Sequence, residues 1–338
     1  MKHVLTAALL ALGGVAQAQD QLPGHDRMDV TAAHRARPLE ASFYYPAANP
    51  TYVTRIGDNA IFKGVPVFMG PRFAEGRRPL VLFSHGSGGN MDGMAWLLSG
   101  LAERGAVVLA VNHPGSTSGD SSPRRSVRLD ERARDLTAAL DQFLSEPEFA
   151  AAVDPDRIYT LGFSLGGATA LGLAGLRFDA GAYAPYCEGG AARTDCAFFD
   201  KGGVDFRNLP AGFSADTRDP RVTAAMAIDP AFTFVATESS VEKLTLPTLL
   251  INLGKERRLG ASDMGPDGSD LAARLPQAEY VEIAPAIHFT ALPECTPIAS
   301  EILKDEGEDP ICTDPEGAHR GEVHARILSA VADFMALE

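Results

Sequence analysis

The sequence predicts an α/β fold in which a mostly parallel sheet is covered by helices on both faces. Short apolar, β-branched runs bounded by Gly or Pro recur along the chain, as expected of strands buried on both sides. Stretches with apolar residues at three- and four-residue spacing lie between them, as in helices that bury one face. The two kinds of segment alternate, which calls for right-handed crossovers between parallel strands. A length of 338 residues with 45% hydrophobic residues, 22% charged residues and 33 Gly suits one large globular unit or two small ones, and it excludes a disordered or collagenous chain.

The first 18 residues have the layout of a cleaved secretory signal: Lys2, an apolar run from Val4 to Val15, then Ala16, Gln17 and Ala18. A run of about a dozen apolar residues is too short to cross the ~30 Å bilayer core as a helix, and no later segment reaches about 18 consecutive apolar residues. The expectation is a secreted or periplasmic product without a transmembrane segment, whose residues 19–338 form a single domain.

Within it a polar stretch runs to Pro38. Leu39–Tyr45, aromatic, alternating and ended by Pro46, predicts an edge strand. Residues 47–78 are rich in Pro and Gly and predict loop or short strand. Residues 79–84 and 106–111 predict buried strands flanking a helix at 94–103. Asp130 is placed to cap a helix that buries Ala133, Leu136, Leu140, Phe143 and Leu144 and closes at Pro147. A strand at 157–163, a helix at 165–176, strands at 222–228, 249–253 and 278–283 and a terminal helix at 322–335 complete the alternation. Residues 178–219, rich in Gly, Asp and aromatic side chains, have no such pattern and read as a lid or binding insertion.

With 30 Lys and Arg against 44 Asp and Glu the formal charge is −14, which argues against a nucleic-acid partner. The dense basic stretch of Arg124, Arg125, Arg128, Arg132 and Arg134 is interrupted by Asp130, Glu131 and Asp135 and reads as a solvated helix face. Export makes the four cysteines candidates for disulfides, paired locally as Cys187 with Cys196 and Cys295 with Cys312. No Cys-x-x-Cys or His-Cys spacing suggests a metal.

The sequence Gly162-Phe163-Ser164-Leu165-Gly166-Gly167 lies between a predicted strand and a predicted helix. A sharp turn there lifts Ser164 clear of the sheet as a nucleophile and leaves the Leu165 N–H unpaired at a helix start, where an anion is favoured. His85-Gly86-Ser87-Gly88-Gly89 follows another strand directly, and the Ser87 N–H is the second expected donor of an oxyanion hole. Such a turn is the nucleophile elbow of α/β-hydrolases, where the chain order serine, acid, histidine leaves His288, His319 and His324 as bases. His288 is favoured because it closely follows a strand; His319 and His324 read as solvated, and His85 and His113 as braces at the rim. For the acid, Asp229 at the end of a strand is favoured over Glu256 after the next one, with Asp263 and Asp267 as further alternatives.

Taken together, Phe-Tyr-Tyr-Pro, Leu-Phe-Ser-His-Gly-Ser-Gly-Gly, Asn112-His113-Pro114-Gly115, Gly-Phe-Ser-Leu-Gly-Gly, Ala-Ile-Asp-Pro and His-Phe occur in order. The chain resembles the platelet-activating factor acetylhydrolase and dienelactone-hydrolase-like branch of the α/β-hydrolases from about Leu39 onward. The resemblance implies an acid at Asp229 and oxyanion donors at Ser87 and Leu165. Dienelactone hydrolases proper use a cysteine where this chain has Ser164. The expected function is a serine esterase without metal or organic cofactor, acting on small-molecule, short-acyl esters. The alternatives are a lipase or polyester-hydrolase-like esterase and, from another class, a non-catalytic binding protein on a hydrolase scaffold.

Overall fold

The computed structural model describes residues 22–188, 194–255 and 258–337, so the expected signal at 1–18 lies outside the described residues. Ten strands form one sheet: β1 (Gly24–Val30), β2 (Leu39–Tyr45), β3 (Val53–Ile56), β4 (Val65–Met69), β5 (Arg78–Ser84), β6 (Val107–Val111), β7 (Val153–Phe163), β8 (Ala224–Ile228), β9 (Thr248–Leu253) and β10 (Ala278–Ile283). Their spatial order is β10-β9-β8-β7-β5-β6-β2-β1-β4-β3. The six strands from β10 to β6 are parallel, and β2 joins them antiparallel to β6.

Alternation along β5 shows how the sheet divides its core. Leu80 and Leu82 belong to one buried cluster with Leu136, Leu140, Phe143 and Leu171. Val81 and Phe83 belong to the opposite cluster with Leu97, Leu98, Val323 and Ile327, because successive strand residues point to opposite faces. Helices α1 (Ala95–Glu103), α2 (Leu129–Ser145) and α3 (Leu165–Ala174) supply several of these residues, each worth roughly 1.5–3 kcal/mol for a fully buried Leu or Phe.

Two sequence expectations fail at the β1 side. β2 is not an edge strand: it is flanked by β1 on one side and β6 on the other. The strand that covers it was hidden in the polar stretch, because Asp26, Arg27 and Asp29 of β1 are exposed and leave only Gly24, His25 and Val30 buried. Asp130 also does not cap α2, which begins one residue earlier; it sits in the first turn, where its charge suits the helix dipole.

The insertion at 178–219 is not structureless. It contains α4 (Ala180–Glu188) and α5 (Thr194–Lys201), joined by the disulfide Cys187–Cys196 with Cα atoms 5.6 Å apart. Tyr183, fully buried, packs against Phe199, Phe206, Phe213 and Phe232 at centroid distances of 5.3 to 6.3 Å. The second disulfide, Cys295–Cys312, with a sequence separation of 17, closes a loop that holds α6 (Ala299–Glu306), and α7 (Arg320–Phe334) follows it.

Candidate active site

Between β7 and α3 there is no linker beyond Ser164 itself. Its backbone takes φ 55° and ψ −121°, a region that costs a non-glycine residue about 1–3 kcal/mol and is found where surroundings over-determine it. Here Ser164 N donates to Ile228 O at 2.9 Å and Ser164 O accepts from Ala231 N at 3.0 Å. Glycine is obligatory on both sides. A Cβ at Gly162 would lie 2.0 Å from Gly166 O, and one at Gly166 would lie 1.9 Å from Ser84 O.

His288 opens a short 3-10 turn, His288–Ala291, shortly after β10. Its Nε2 is 3.1 Å from Ser164 Oγ and its Nδ1 is 3.0 Å from Asp229 Oδ2. The imidazole lies against the Phe163 ring, with centroids 4.6 Å apart. Asp229, at the end of β8, is fully buried; its Oδ1 accepts from Asn252 Nδ2 at 2.9 Å and from Leu253 N at 2.8 Å. Two fixed donors on one oxygen leave the other aimed at the imidazole. That geometry suits proton transfer from the hydroxyl to a tautomer-locked imidazole.

The segments of the two expected donors adjoin Ser164. A Cβ on Gly86 would lie 3.3 Å from Ser164 Cβ, so the loop carrying Ser87 runs close beside Ser164. Leu165 is the first residue of α3. Among the described residues, neither the Ser87 N–H nor the Leu165 N–H donates to a protein acceptor.

Of the rival residues, Glu256 lies outside the described residues. Asp263 is held by Arg258 at 2.7 Å and by Gly265 N at 2.9 Å, and Asp267 is exposed. His319 is exposed at the start of α7. His324 is not solvated. It is buried, stacked on Trp96 at 3.8 Å, and its Nε2 donates to Thr290 O and Leu292 O. Burial lowers its pKa to about 4 despite those two carbonyls. It therefore braces the turn that carries His288.

His85 and His113 also lie inside rather than at the rim, within a network that the reading of a solvated basic face missed. Arg124, Arg125, Arg128 and Arg134 are exposed as expected, but Arg132 and Asp135 are buried. Asp135 accepts from Arg35 at 2.7 and 2.8 Å, from His34 at 2.8 Å and from His113 Nδ1 at 2.9 Å. Burial alone would raise its carboxyl, yet His113, His34 and Arg35 outweigh that and hold it well below the usual range. Burial and the Arg132 charge bring His113 down to about 4, so this imidazole is neutral, with Nε2 accepting from Ser84 Oγ at 3.0 Å. His85 accepts from His113 N at 3.2 Å and donates through Nδ1 to Gly86 O at 2.7 Å. A signal was available: Leu129, Arg132, Ala133 and Leu136 share the three- and four-residue spacing of the buried face.

Among the described residues no group of three or more His, Cys, Asp or Glu side chains is arranged to hold a metal ion. No helix among them is long and apolar enough to cross a membrane.

Comparison with known proteins follows this geometry. Over 107 residues the chain is 35% identical to cutinase est2 of Thermobifida alba, a match that takes in 31% of this chain and 33% of that protein. The chain thus spans about a third of that relative's length. A ferulic acid esterase structure from Streptomyces cinnamoneus superposes with a TM-score of 0.61 at 20% identity, covering 95% of this chain and 91% of the other. A dienelactone hydrolase structure from Anabaena variabilis ATCC 29413 superposes with a TM-score of 0.45 at 16% identity, covering 85% and 96%. The model of the alpha/beta hydrolase family matches residues 81–329, a span that contains the serine turn, Asp229 and the histidine turn. The chain belongs to the alpha/beta hydrolase family.

Proposed function

We propose that this chain is an exported serine hydrolase that cleaves carboxylic esters through an acyl-enzyme intermediate. The observation that carries the reading is the hydrogen-bonded line from Ser164 Oγ through His288 to the buried Asp229, with steps of 3.1 and 3.0 Å. Ser164 attacks the ester carbonyl while His288 Nε2 takes its proton. Asp229 holds the Nδ1–H tautomer and stabilises the imidazolium. The N–H groups of Ser87 and Leu165 receive the oxyanion, His288 returns the proton to the leaving alcohol, and water then releases the acid by the same steps in reverse. No metal or organic cofactor enters this scheme. Export is supported by the residue pattern of 1–18 and by two disulfides, which persist in oxidising surroundings.

Small esters with short acyl chains are the proposed substrates. A second reading, an esterase for long-chain or polymeric substrates, is favoured by one observation, the local match to a cutinase. Rates across acetyl to palmitoyl esters separate the two. The serine assignment is tested with Ser164→Ala, which should lose several orders of magnitude in turnover of p-nitrophenyl acetate and all labelling by a fluorophosphonate, while keeping its fold. Wild-type turnover in that variant would end the proposal.

A further inference from the structure

We infer that Arg132 is a positioning residue for both oxyanion donors, its buried guanidinium tying the loop of Ser87 to the helix of Leu165. This rests on the serine hydrolase reading above. Arg132 lies on α2, is 2% exposed, and spreads its donors over four acceptors. Nε donates to Thr169 Oγ1 at 3.0 Å, Nη1 to Ser116 Oγ, and Nη2 to Ser84 Oγ at 3.1 Å and to His85 O.

The acceptors divide between the two halves of the oxyanion hole. On the loop side, His85 O belongs to the peptide immediately before Gly86, and Ser84 ends the strand that launches the loop. Ser116 adds a second tether, since its backbone O accepts from Gly88 N at 2.8 Å. The arginine thus holds the segment on both sides of Ser87. On the helix side, Thr169 Oγ1 donates to Leu165 O at 3.2 Å, so the group that Arg132 grips is itself bonded to the residue supplying the other donor. One planar, fork-shaped cation bridges two elements that also meet closely at Gly86 and Gly166, and its fixed geometry sets their separation more tightly than a flexible ammonium would.

Burial pulls the guanidinium pKa down to about 9, opposed by Asp135, which leaves it cationic at neutral pH. A buried cation costs free energy unless its hydrogen bonds are satisfied. A purely structural tie between α2 and the sheet could be apolar, as it is one to two turns further on at the buried Leu136, Ala139 and Leu140. The four acceptors instead lie at or beside the two donor segments.

Arg132→Met, Arg132→Lys and Thr169→Val are to be compared with wild type, using p-nitrophenyl acetate kinetics normalised to sites titrated with a fluorophosphonate. The expected result for Arg132→Met is a kcat about 10²-fold lower at nearly unchanged KM, the size of effect that follows loss of one oxyanion donor. Arg132→Lys should recover part of that loss. Thr169→Val keeps the cation and its loop-side bonds but removes the whole helix-side link, both the acceptor of Arg132 Nε and the donor to Leu165 O, so a kcat loss of about ten-fold is expected, and this variant decides the matter if Arg132→Met fails to fold. Wild-type kcat per titrated site in Thr169→Val and in the folded Arg132 variants would overturn the inference, as would a change confined to KM. Those outcomes leave the serine hydrolase reading intact, whereas a wild-type enzyme without Ser164-dependent turnover removes that reading itself.

Discussion

Replacing Asp229 with Asn separates the orientation of His288 from the stability of the fold. In the wild-type protein Oδ1 of Asp229 accepts from Asn252 Nδ2 and Leu253 N, while Oδ2 faces His288 Nδ1. An asparagine amide has one acceptor and one donor end. The two protein donors select the orientation that keeps its oxygen at the Oδ1 position, which puts its NH2 against His288 Nδ1. The imidazole must then accept at Nδ1 and carry its proton on Nε2, facing Ser164 Oγ with a donor where a base is needed. In serine proteases the same change of tautomer costs about 10⁴ in kcat, roughly 5 kcal/mol of transition-state stabilisation, and a loss of that size is expected here. The fold should lose little, because both bonds to Oδ1 survive with a neutral acceptor, a weakening of roughly 1–2 kcal/mol in all. Asp229→Ala should behave differently, since it orphans two buried donors at a cost of about 1–3 kcal/mol each and lowers Tm as well as kcat. The measurements are kcat on p-nitrophenyl acetate per titrated site and thermal unfolding, with Glu256→Gln as the control. An Asn variant within ten-fold of wild type would refute the reasoning, and a larger kcat loss from Glu256→Gln would transfer the role to Glu256.

Two further outcomes follow from the same structure. Opening the Cys295–Cys312 disulfide with the paired Cys→Ser substitutions frees a 17-residue loop, and loop-closure entropy puts the loss near 3 kcal/mol; an unchanged urea midpoint would contradict it. Acid should destabilise the protein well before its carboxylates titrate. His113 and His324 are held neutral to about pH 4 in the folded chain, against an ordinary value near 6.5. Between those values the unfolded chain binds more protons, so stability falls as pH drops from about 6.5 to about 4, by up to roughly 3 kcal/mol for each imidazole. Below that window the depressed Asp135 carboxyl takes over as the group whose protonation costs stability. Urea midpoints measured from pH 7 to pH 4 that stay level would show that these imidazoles are not held neutral.

The strands and helices around the site were legible for a simple reason. Strands buried on both faces read as near-continuous apolar runs; β6 and β8 are wholly apolar, and β5 and β9 are apolar through 79–83 and 249–251. The serine turn was legible because close backbone contacts at 162 and 166, on either side of the strained Ser164, leave no room for a Cβ and so require glycine there. The acid was open to alternatives because chain position does not say which way a carboxylate points. What settles the geometry is the Asn252 side chain and the Leu253 N–H, on a strand whose buried Asn reads in sequence as one polar residue in an apolar run. β1 was illegible for the opposite reason, since a strand with a charged outer face resembles a loop.

The misread of α2 has a more general cause. Its buried stripe runs from Leu129 through Arg132, Ala133, Asp135 and Leu136 to Leu140 and Phe143, and charge was weighed there without regard to spacing. A charged residue at a position whose helical neighbours are buried has two options: to snorkel to solvent or to meet partners inside. Arg132 and Asp135 meet partners: Ser84 and His85 at the end of β5 and the loop it launches, Thr169 on α3, and His113 just past β6. The change along α2 from polar near its start to apolar further on therefore follows what the helix covers, with the backbone of the loop after β5 at one end and side chains of the sheet at the other. A backbone loop presents carbonyl and hydroxyl groups that an apolar helix face would leave unpaired at about 1–3 kcal/mol each, so a charged donor in the stripe is the arrangement that lets this loop be buried at all.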